Sequence, residues 1–129
     1  MIVADTDVLI DFLADHRPGA LAVAAGIQAD QLATTTVNCF ELLAGAQNVR
    51  NRMRVVELLE SIRVLLLDFL AARRAAEVRR QLERLGVGIG MGDSLIAGIT
   101  LTSGSSLLTR NRRHFARQRR ELSTRGRLG

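Results

Sequence analysis

At 129 residues and 47% hydrophobic content, the chain is long enough for one domain with a real core and too apolar for a disordered tail. Four Phe, no Tyr and no Trp argue against a base-stacking platform for single-stranded nucleic acid. The formal charge of +5 rests on Arg without any Lys, much of it in 73–84 and 110–127, and it suggests either a polyanionic partner, nucleic acid first, or arginines on solvated helix faces.

Met1–Ala4 is a short apolar run that reads as a buried strand, ending abruptly on Asp5. Asp5 can cap the helix that follows, or it can face the crevice beyond the strand ends where open α/β sheets bind ligands. Val8–Leu13 reads as a short helix. His16-Arg17-Pro18-Gly19 breaks it, and Ala20–Ala29 forms the next. Leu32–Thr35 is a short second strand, and Thr36 can cap a helix over Val37–Ala46. On that helix Val37, Phe40, Leu43 and Ala44 form an apolar stripe, with Glu41 beside it. An acid so close to an apolar face is unusual unless it is paired or liganded.

Asn48–Ile62 reads as an amphipathic helix with Val49, Met53, Val56 and Leu58 or Leu59 inward. Arg63–Leu67 is a third strand ended by Asp68, and Phe69–Leu85 is a long Arg-rich helix. Glycines 86, 88, 90 and 92 lead into Asp93, without the spacing of a dinucleotide or P-loop fingerprint. Asp93 opens a helix over Ser94–Thr102, and Ser106–Thr109 is a fourth strand. The turn Asn111-Arg112-Arg113-His114-Phe115 follows, His114 packing with Phe115, and 116–129 is a weakly patterned basic tail in which Leu122 could join an edge strand. Strands alternating with helices imply a single α/β domain over 1–129, a central parallel sheet of four to five strands with helices on both faces.

Cys39 stands alone, so no internal disulfide or cysteine-rich metal site is available, and it reads as a packed side chain. No signal-peptide pattern and no membrane-spanning apolar run is visible, so a cytoplasmic protein is expected. Asp5, Glu41 and Asp93 all lie at element ends or helix starts. If they converge, their repulsion calls for a cation, and oxygen donors without a His/Cys cluster suit Mg²⁺ or Mn²⁺. Such ions beside a basic surface suit phosphodiester hydrolysis. Arg110, Arg112 and Arg113, beside that site, are the candidate contacts to a nucleic-acid backbone.

Four stretches together resemble PIN-domain ribonucleases, and among these the toxins of VapBC-type toxin–antitoxin pairs. They are Val3-Ala4-Asp5-Thr6-Asp7-Val8-Leu9-Ile10, Glu41-Leu42-Leu43-Ala44-Gly45, Gly92-Asp93-Ser94-Leu95-Ile96-Ala97, and Leu107 through Phe115. The resemblance implies a PIN-like fold and a metal-dependent endoribonuclease, with Asp5, Glu41 and Asp93 as the acidic triad holding Mg²⁺ or Mn²⁺. Thr6, Asp7, Thr109 and Asn111 are then its supporting neighbours. The family often has a fourth acid around Asn111 and His114. Here neither is acidic, so Asn111 could ligate through its carbonyl or position a water, and a one-metal mechanism is open. The resemblance also implies a VapB-like antitoxin, a homodimer, and an RNA substrate, tRNA or another structured RNA among the candidates.

Other readings compete. Asp5-Thr6-Asp7 mimics the DxD of haloacid-dehalogenase-like phosphatases, with Asp5 as nucleophile, but the expected Lys is missing. A receiver domain would use Asp5, Asp7 and Asp68 and also needs a Lys. Gly92-Asp93-Ser94-Leu95 matches an esterase string, with Ser94 as nucleophile and only His16 or His114 as base. A catalytically silent PIN-like module that binds RNA or protein is the remaining alternative.

Overall fold

The structure is a computed structural model and describes residues 1–110. In chain order it comprises β1 (Ile2–Ala4), α1 (Thr6–Leu13), α2 (Gly19–Gln28), β2 (Leu32–Thr35), α3 (Thr36–Gly45), α4 (Val49–Ser61), β3 (Arg63–Leu65), α5 (Phe69–Arg84), α6 (Met91–Thr102) and β4 (Ser106–Leu108). The four strands form one parallel sheet in the order β3-β2-β1-β4. Leu122, the proposed fifth strand, and the 116–129 tail lie outside the described residues.

Chain order runs outward from β1 through β2 to β3, then returns across to β4 on the other side of β1. The strand order therefore reverses at β1, and the crevice of a doubly wound sheet opens at the carboxyl ends there. Ile2 pairs with Leu32 and Ser106, which sets β2, β1 and the edge strand β4 in register. Side chains alternate across a strand. Ala4 and Leu32 join Val8, Leu9, Val23, Leu42, Val55, Leu58 and Leu59 in one core cluster, with Ile2 packed against it. Val3 and Ala33, which alternate to the opposite face, are also fully buried, so both faces are covered. A second cluster of Val78, Leu82 and Ile89 lies on the α5 side.

In three helices the cap side chain accepts the backbone N–H three residues on: Thr35 in α3, Asn48 in α4 and Asp68 in α5. The cap of α3 is thus Thr35 rather than Thr36. The hydroxyl of Thr36 instead accepts the Leu67 N–H at 3.1 Å, which takes the chain out of the ladder and ends β3 at Leu65. The apolar stripe expected on α3 is also displaced. Its buried residues are Asn38 and Leu42, while Phe40 is 71% exposed and Leu43 39%. On α4 the inward residues are Val55, Leu58 and Leu59, and Val49, Met53 and Val56 face out. In both helices the large apolar residues outnumber the positions the core can cover.

Helices α5 and α6 approach closely because of Gly98. A Cβ there would stand 2.6 Å from the Ala71 carbonyl oxygen and 2.7 Å from the Ala75 Cβ and backbone nitrogen. The arginines of α5 are mostly surface residues. Arg74 pairs with Glu77 and Arg79 with Glu83 on exposed turns, contacts worth about 0.2–0.5 kcal/mol each. No helix among the described residues is long and apolar enough to cross a membrane.

Candidate active site

Asp5 is the first residue beyond β1, at the reversal point of the sheet. Its backbone is held from both sides. Its N–H donates to the Leu108 carbonyl at 2.9 Å, and Thr34 Oγ1 donates to the preceding carbonyl of Ala4 at 2.8 Å. Its Oδ1 accepts the Thr6 N–H at 2.9 Å and Asn38 Nδ2 at 3.0 Å, and its Oδ2 accepts Thr109 Oγ1 at 3.0 Å. Asp5 is therefore the N-cap of α1 as well as the acid in the crevice, and the two readings of this residue coincide. It is 8% exposed. Burial pushes its pKa above the ordinary carboxylate value and the neighbouring Asp7 charge adds to this, against the pull of the Thr6 N–H, Thr109 and Asn38 hydrogen bonds.

Glu41 is exposed on α3, and its Oε1 accepts Thr6 Oγ1 at 2.7 Å. Asn38, one turn earlier and fully buried, donates from Nδ2 to Asp5 Oδ1 and to Thr6 Oγ1 at 2.9 Å. The carboxylates of Asp5 and Glu41 are thus joined through one amide and one hydroxyl. Toward α6, a Cβ on Gly92 would stand 3.5 Å from Glu41 Oε2, in ordinary contact. Asp93 follows as the third residue of α6, not as its cap; Gly90 precedes the helix. Its half-buried carboxylate sits in the first turn, where the helix dipole favours negative charge, and makes no hydrogen bond to a described residue.

A second set of contacts ties β4 to α1. Asp7 Oδ2 accepts Thr109 Oγ1 at 3.1 Å and the Arg110 N–H at 2.9 Å. Thr109 has one hydroxyl proton for two carboxylates, so it serves Asp5 and Asp7 in turn. One helical turn on, buried Asp11 pairs with Arg110 Nε at 3.2 Å. A side chain on Gly19 would fill the space of the Asp11 carboxylate. Arg110, expected to meet RNA, thus has its Nε engaged with Asp11, although its side chain remains 59% exposed. Asn111, Arg112, Arg113 and His114 lie outside the described residues.

Of the expected triad, Asp5 and Glu41 are brought together, and Asp93 follows the residue that Glu41 approaches. No three His, Cys, Asp or Glu side chains among the described residues are grouped as a ready metal cage. That arrangement still fits Mg²⁺, which keeps several waters and is commonly held by one or two carboxylates together with substrate phosphates. The donors are all oxygen, and Asp7 Oδ1 is buried with no hydrogen-bond partner in the described structure. The esterase string fares differently: Ser94 is 3% exposed and its hydroxyl donates to the Gly90 carbonyl at 2.8 Å. Asp68, the third acid of a receiver-like reading, caps α5 through the Ala71 N–H.

Sequence reasoning missed Asn38 and Asp11. The Asp7/Asp11 spacing of four, placing both acids on one helix face toward a cation after β4, was a readable signal. For Asn38 the signal was its place in line with Leu42 on α3, a polar residue on what proves to be the buried face.

A family model, the PIN domain, matches residues 2–121. The chain is 34% identical over 119 residues to Ribonuclease VapC10 of Mycobacterium tuberculosis, covering 89% of this chain and 86% of that one. It is 28% identical over 117 residues to the tRNA(fMet)-specific endonuclease VapC of Shigella flexneri, covering 88% of each. Among solved structures, VapBC-1 from nontypeable Haemophilus influenzae matches with a TM-score of 0.72 and 29% identity, over 91% of this chain and 92% of that one. VapBC2 from Rickettsia felis, bound to a promoter DNA fragment, matches with a TM-score of 0.80 and 20% identity, over 91% and 92%. With the acid-bearing crevice at the reversal of its parallel sheet, the chain belongs to the PIN-domain family.

Proposed function

We propose that this chain is a Mg²⁺- or Mn²⁺-dependent endoribonuclease, the toxin of a toxin–antitoxin pair acting in the cytoplasm. The observation that carries the reading is Asp5, an acid buried at the sheet reversal and linked through Thr6 and Asn38 to Glu41. The relatives' names, a ribonuclease and a tRNA(fMet)-specific endonuclease, support RNA as the substrate. Asp5, Glu41 and Asp93 would hold the cation, which supplies Lewis acidity toward a phosphodiester and its attacking water. Thr6 donates a hydrogen bond to Glu41 and Asn38 donates one to Asp5, which holds the two carboxylates in place. Asp7 and Thr109 fix the end of β4 beside them. Arg110, Arg112 and Arg113 supply positive charge for the RNA backbone, and Asn111 can add a neutral carbonyl oxygen to the site.

The test is cleavage of total RNA and of tRNA with Mg²⁺, Mn²⁺ or EDTA. Cleavage that requires a divalent ion is expected. Undiminished cleavage in EDTA, or turnover of a phosphomonoester in place of RNA, would reject this reading.

Two surfaces suit the proposed partners. A groove of ≈ 340 Å³ lined by Ile10, Leu13, Leu42, Ala46 and Val55, with Glu41 and Arg54 also on its walls, fits an apolar antitoxin segment. The start of α5 exposes Phe69 by 77% and Leu70 by 60%, with Leu66 just before them. Neighbouring apolar side chains this exposed mark an association surface, here for a second copy. Phe69→Asp is expected to convert the homodimer to a monomer in light scattering; an unchanged dimer would move the interface elsewhere.

A further inference from the structure

Asn38 is hydrogen-bonded at both ends of its side-chain amide. It is fully buried on α3, and every polar atom of its amide is used. The direction of each bond can be worked out. Thr35 Oγ1 accepts the Asn38 backbone N–H at 3.2 Å, so its single proton is free to donate to Asn38 Oδ1 at 2.7 Å. The opposite end of the amide lies against a carboxylate oxygen of Asp5, which accepts, and that contact fixes it as the NH₂ group. The NH₂ group then faces Asp5 Oδ1 at 3.0 Å and Thr6 Oγ1 at 2.9 Å, giving one proton to each. Because Thr6 Oγ1 accepts from Asn38, its own proton points to Glu41 Oε1 at 2.7 Å. The bonds run one way, from Thr35 through Asn38 to Asp5, and through Thr6 to Glu41.

We infer that Asn38 is a positioning residue that sets the mutual orientation of the Asp5 and Glu41 carboxylates for a divalent cation. The inference rests on the proposed metal-dependent reading of the site. Asn38 sits one turn before Glu41 on the same helix and bonds across to the residue ending β1. It therefore fixes the carboxylates of two separate elements with a single rigid amide. Thr35, the N-cap of α3, in turn holds the amide. An aliphatic residue at this buried position would suit the core equally well on hydrophobic grounds, but it would leave Thr6 free to rotate and Asp5 Oδ1 short of a donor. Residues that orient metal ligands in this way typically change metal affinity by about 10- to 100-fold when replaced.

The experiment compares Mn²⁺ binding by titration calorimetry, well below each melting temperature, for wild type, Asn38→Ala, Thr6→Val and Asp5→Asn. Asn38→Ala is expected to raise the Mn²⁺ dissociation constant by about tenfold or more. The Mn²⁺ dependence of cleavage should shift by the same factor, with kcat at saturating Mn²⁺ little changed. Thr6→Val, which cuts only the Glu41 branch at a half-buried position, is expected to shift it in the same direction by less. It stands in as the test if Asn38→Ala does not fold. A merely structural Asn38 would lower the melting temperature and leave Mn²⁺ affinity unchanged, and that result overturns the inference. If Asp5→Asn loses Mn²⁺ binding while Asn38→Ala and Thr6→Val match wild type, only the positioning role is wrong. If wild type binds no Mn²⁺, the metal reading fails and the inference fails with it.

Discussion

Asp5→Asn is expected to abolish divalent-dependent RNA cleavage and, in the absence of metal, to raise the melting temperature at neutral pH. The two effects have one cause. Asp5 is 8% exposed, and burial together with the Asp7 charge raises its pKa above the ordinary 3.8. A raised pKa means that the folded state holds the proton more tightly than the unfolded chain. Stability is therefore greatest at pH values below the ordinary carboxylate value and is lost as pH rises through the raised one. At neutral pH the metal-free protein carries the full penalty. An Asn at this position keeps the cap: its Oδ1 can accept from Thr6 N–H and Asn38, while its Nδ2 can donate to Thr109 Oγ1. Thr109 can then direct its proton to Asp7. The charge needed for the cation, however, is gone, and the loss of cleavage should be on the order of a hundredfold or more, the scale of a single preorganised electrostatic group.

Melts in EDTA across pH 4–8 check the stability half, with a gap between variant and wild type that opens as pH rises. Adding Mn²⁺ should narrow or reverse the gap, because ligand stabilises the form that binds it. Wild-type cleavage by Asp5→Asn, or a variant less stable than wild type at neutral pH in EDTA, contradicts the argument. Glu41→Gln and Asp93→Asn should also lose cleavage. Asp5 is the most buried of the three, so the large gain in stability is expected at Asp5 alone.

The ends of β1 and β2 were readable because a change of chemistry marks each, whereas β3, expected to run to Leu67, stops at Leu65. β1 stops at Asp5 and β2 at the threonines, and the alternation of strands with helices implied the parallel sheet. The order β3-β2-β1-β4, which places Asp5 at the reversal, depends on how the crossovers wrap and leaves no local mark. Facing errors on α3 and α4 have a different origin. Periodicity locates an apolar face only when one face is apolar, and α4 carries Val49, Met53, Val55, Val56, Leu58 and Leu59 around much of its circumference. On α3 the pattern pointed to Phe40, while the structure turns Asn38 inward because Asp5 and Thr6 supply partners for its amide. A buried polar residue is legible only once its partners are known, and these come from residues 32 and 33 positions away in sequence. The Arg110–Asp11 pair spans an even longer separation.

Gly98→Val is expected to be the most destabilising single change away from the acids. Helix propensity points the other way, since Gly in a helix interior is among the worst residues. Packing decides the sign. A Cβ at residue 98 would meet the Ala71 carbonyl oxygen at 2.6 Å and the Ala75 nitrogen at 2.7 Å, and both are backbone atoms that cannot rotate away. Relief requires α6 to move off α5, which opens the buried surface around Ala71 and Ala75, 1% and 2% exposed. Overpacking of this kind costs about 1–3 kcal/mol, or a fall in melting temperature on the order of 10 °C for a domain of this size. Ala75→Gly in the same chain removes the clash with the Ala75 Cβ but neither backbone contact, so it should rescue only part of the loss. Gly45→Val is the control: nothing lies within 4 Å of its Cβ position, and it should cost much less. The effect reaches the site because Asp93 lies five residues before Gly98 on the same rigid helix. A displaced α6 moves Asp93 relative to Glu41, whose Oε2 lies 3.5 Å from where a Cβ on Gly92 would stand. Mn²⁺ affinity measured well below the melting temperature should therefore fall in Gly98→Val as well. A variant with wild-type melting and wild-type Mn²⁺ affinity would show that α6 shifts freely and that its seat on α5 does not place Asp93.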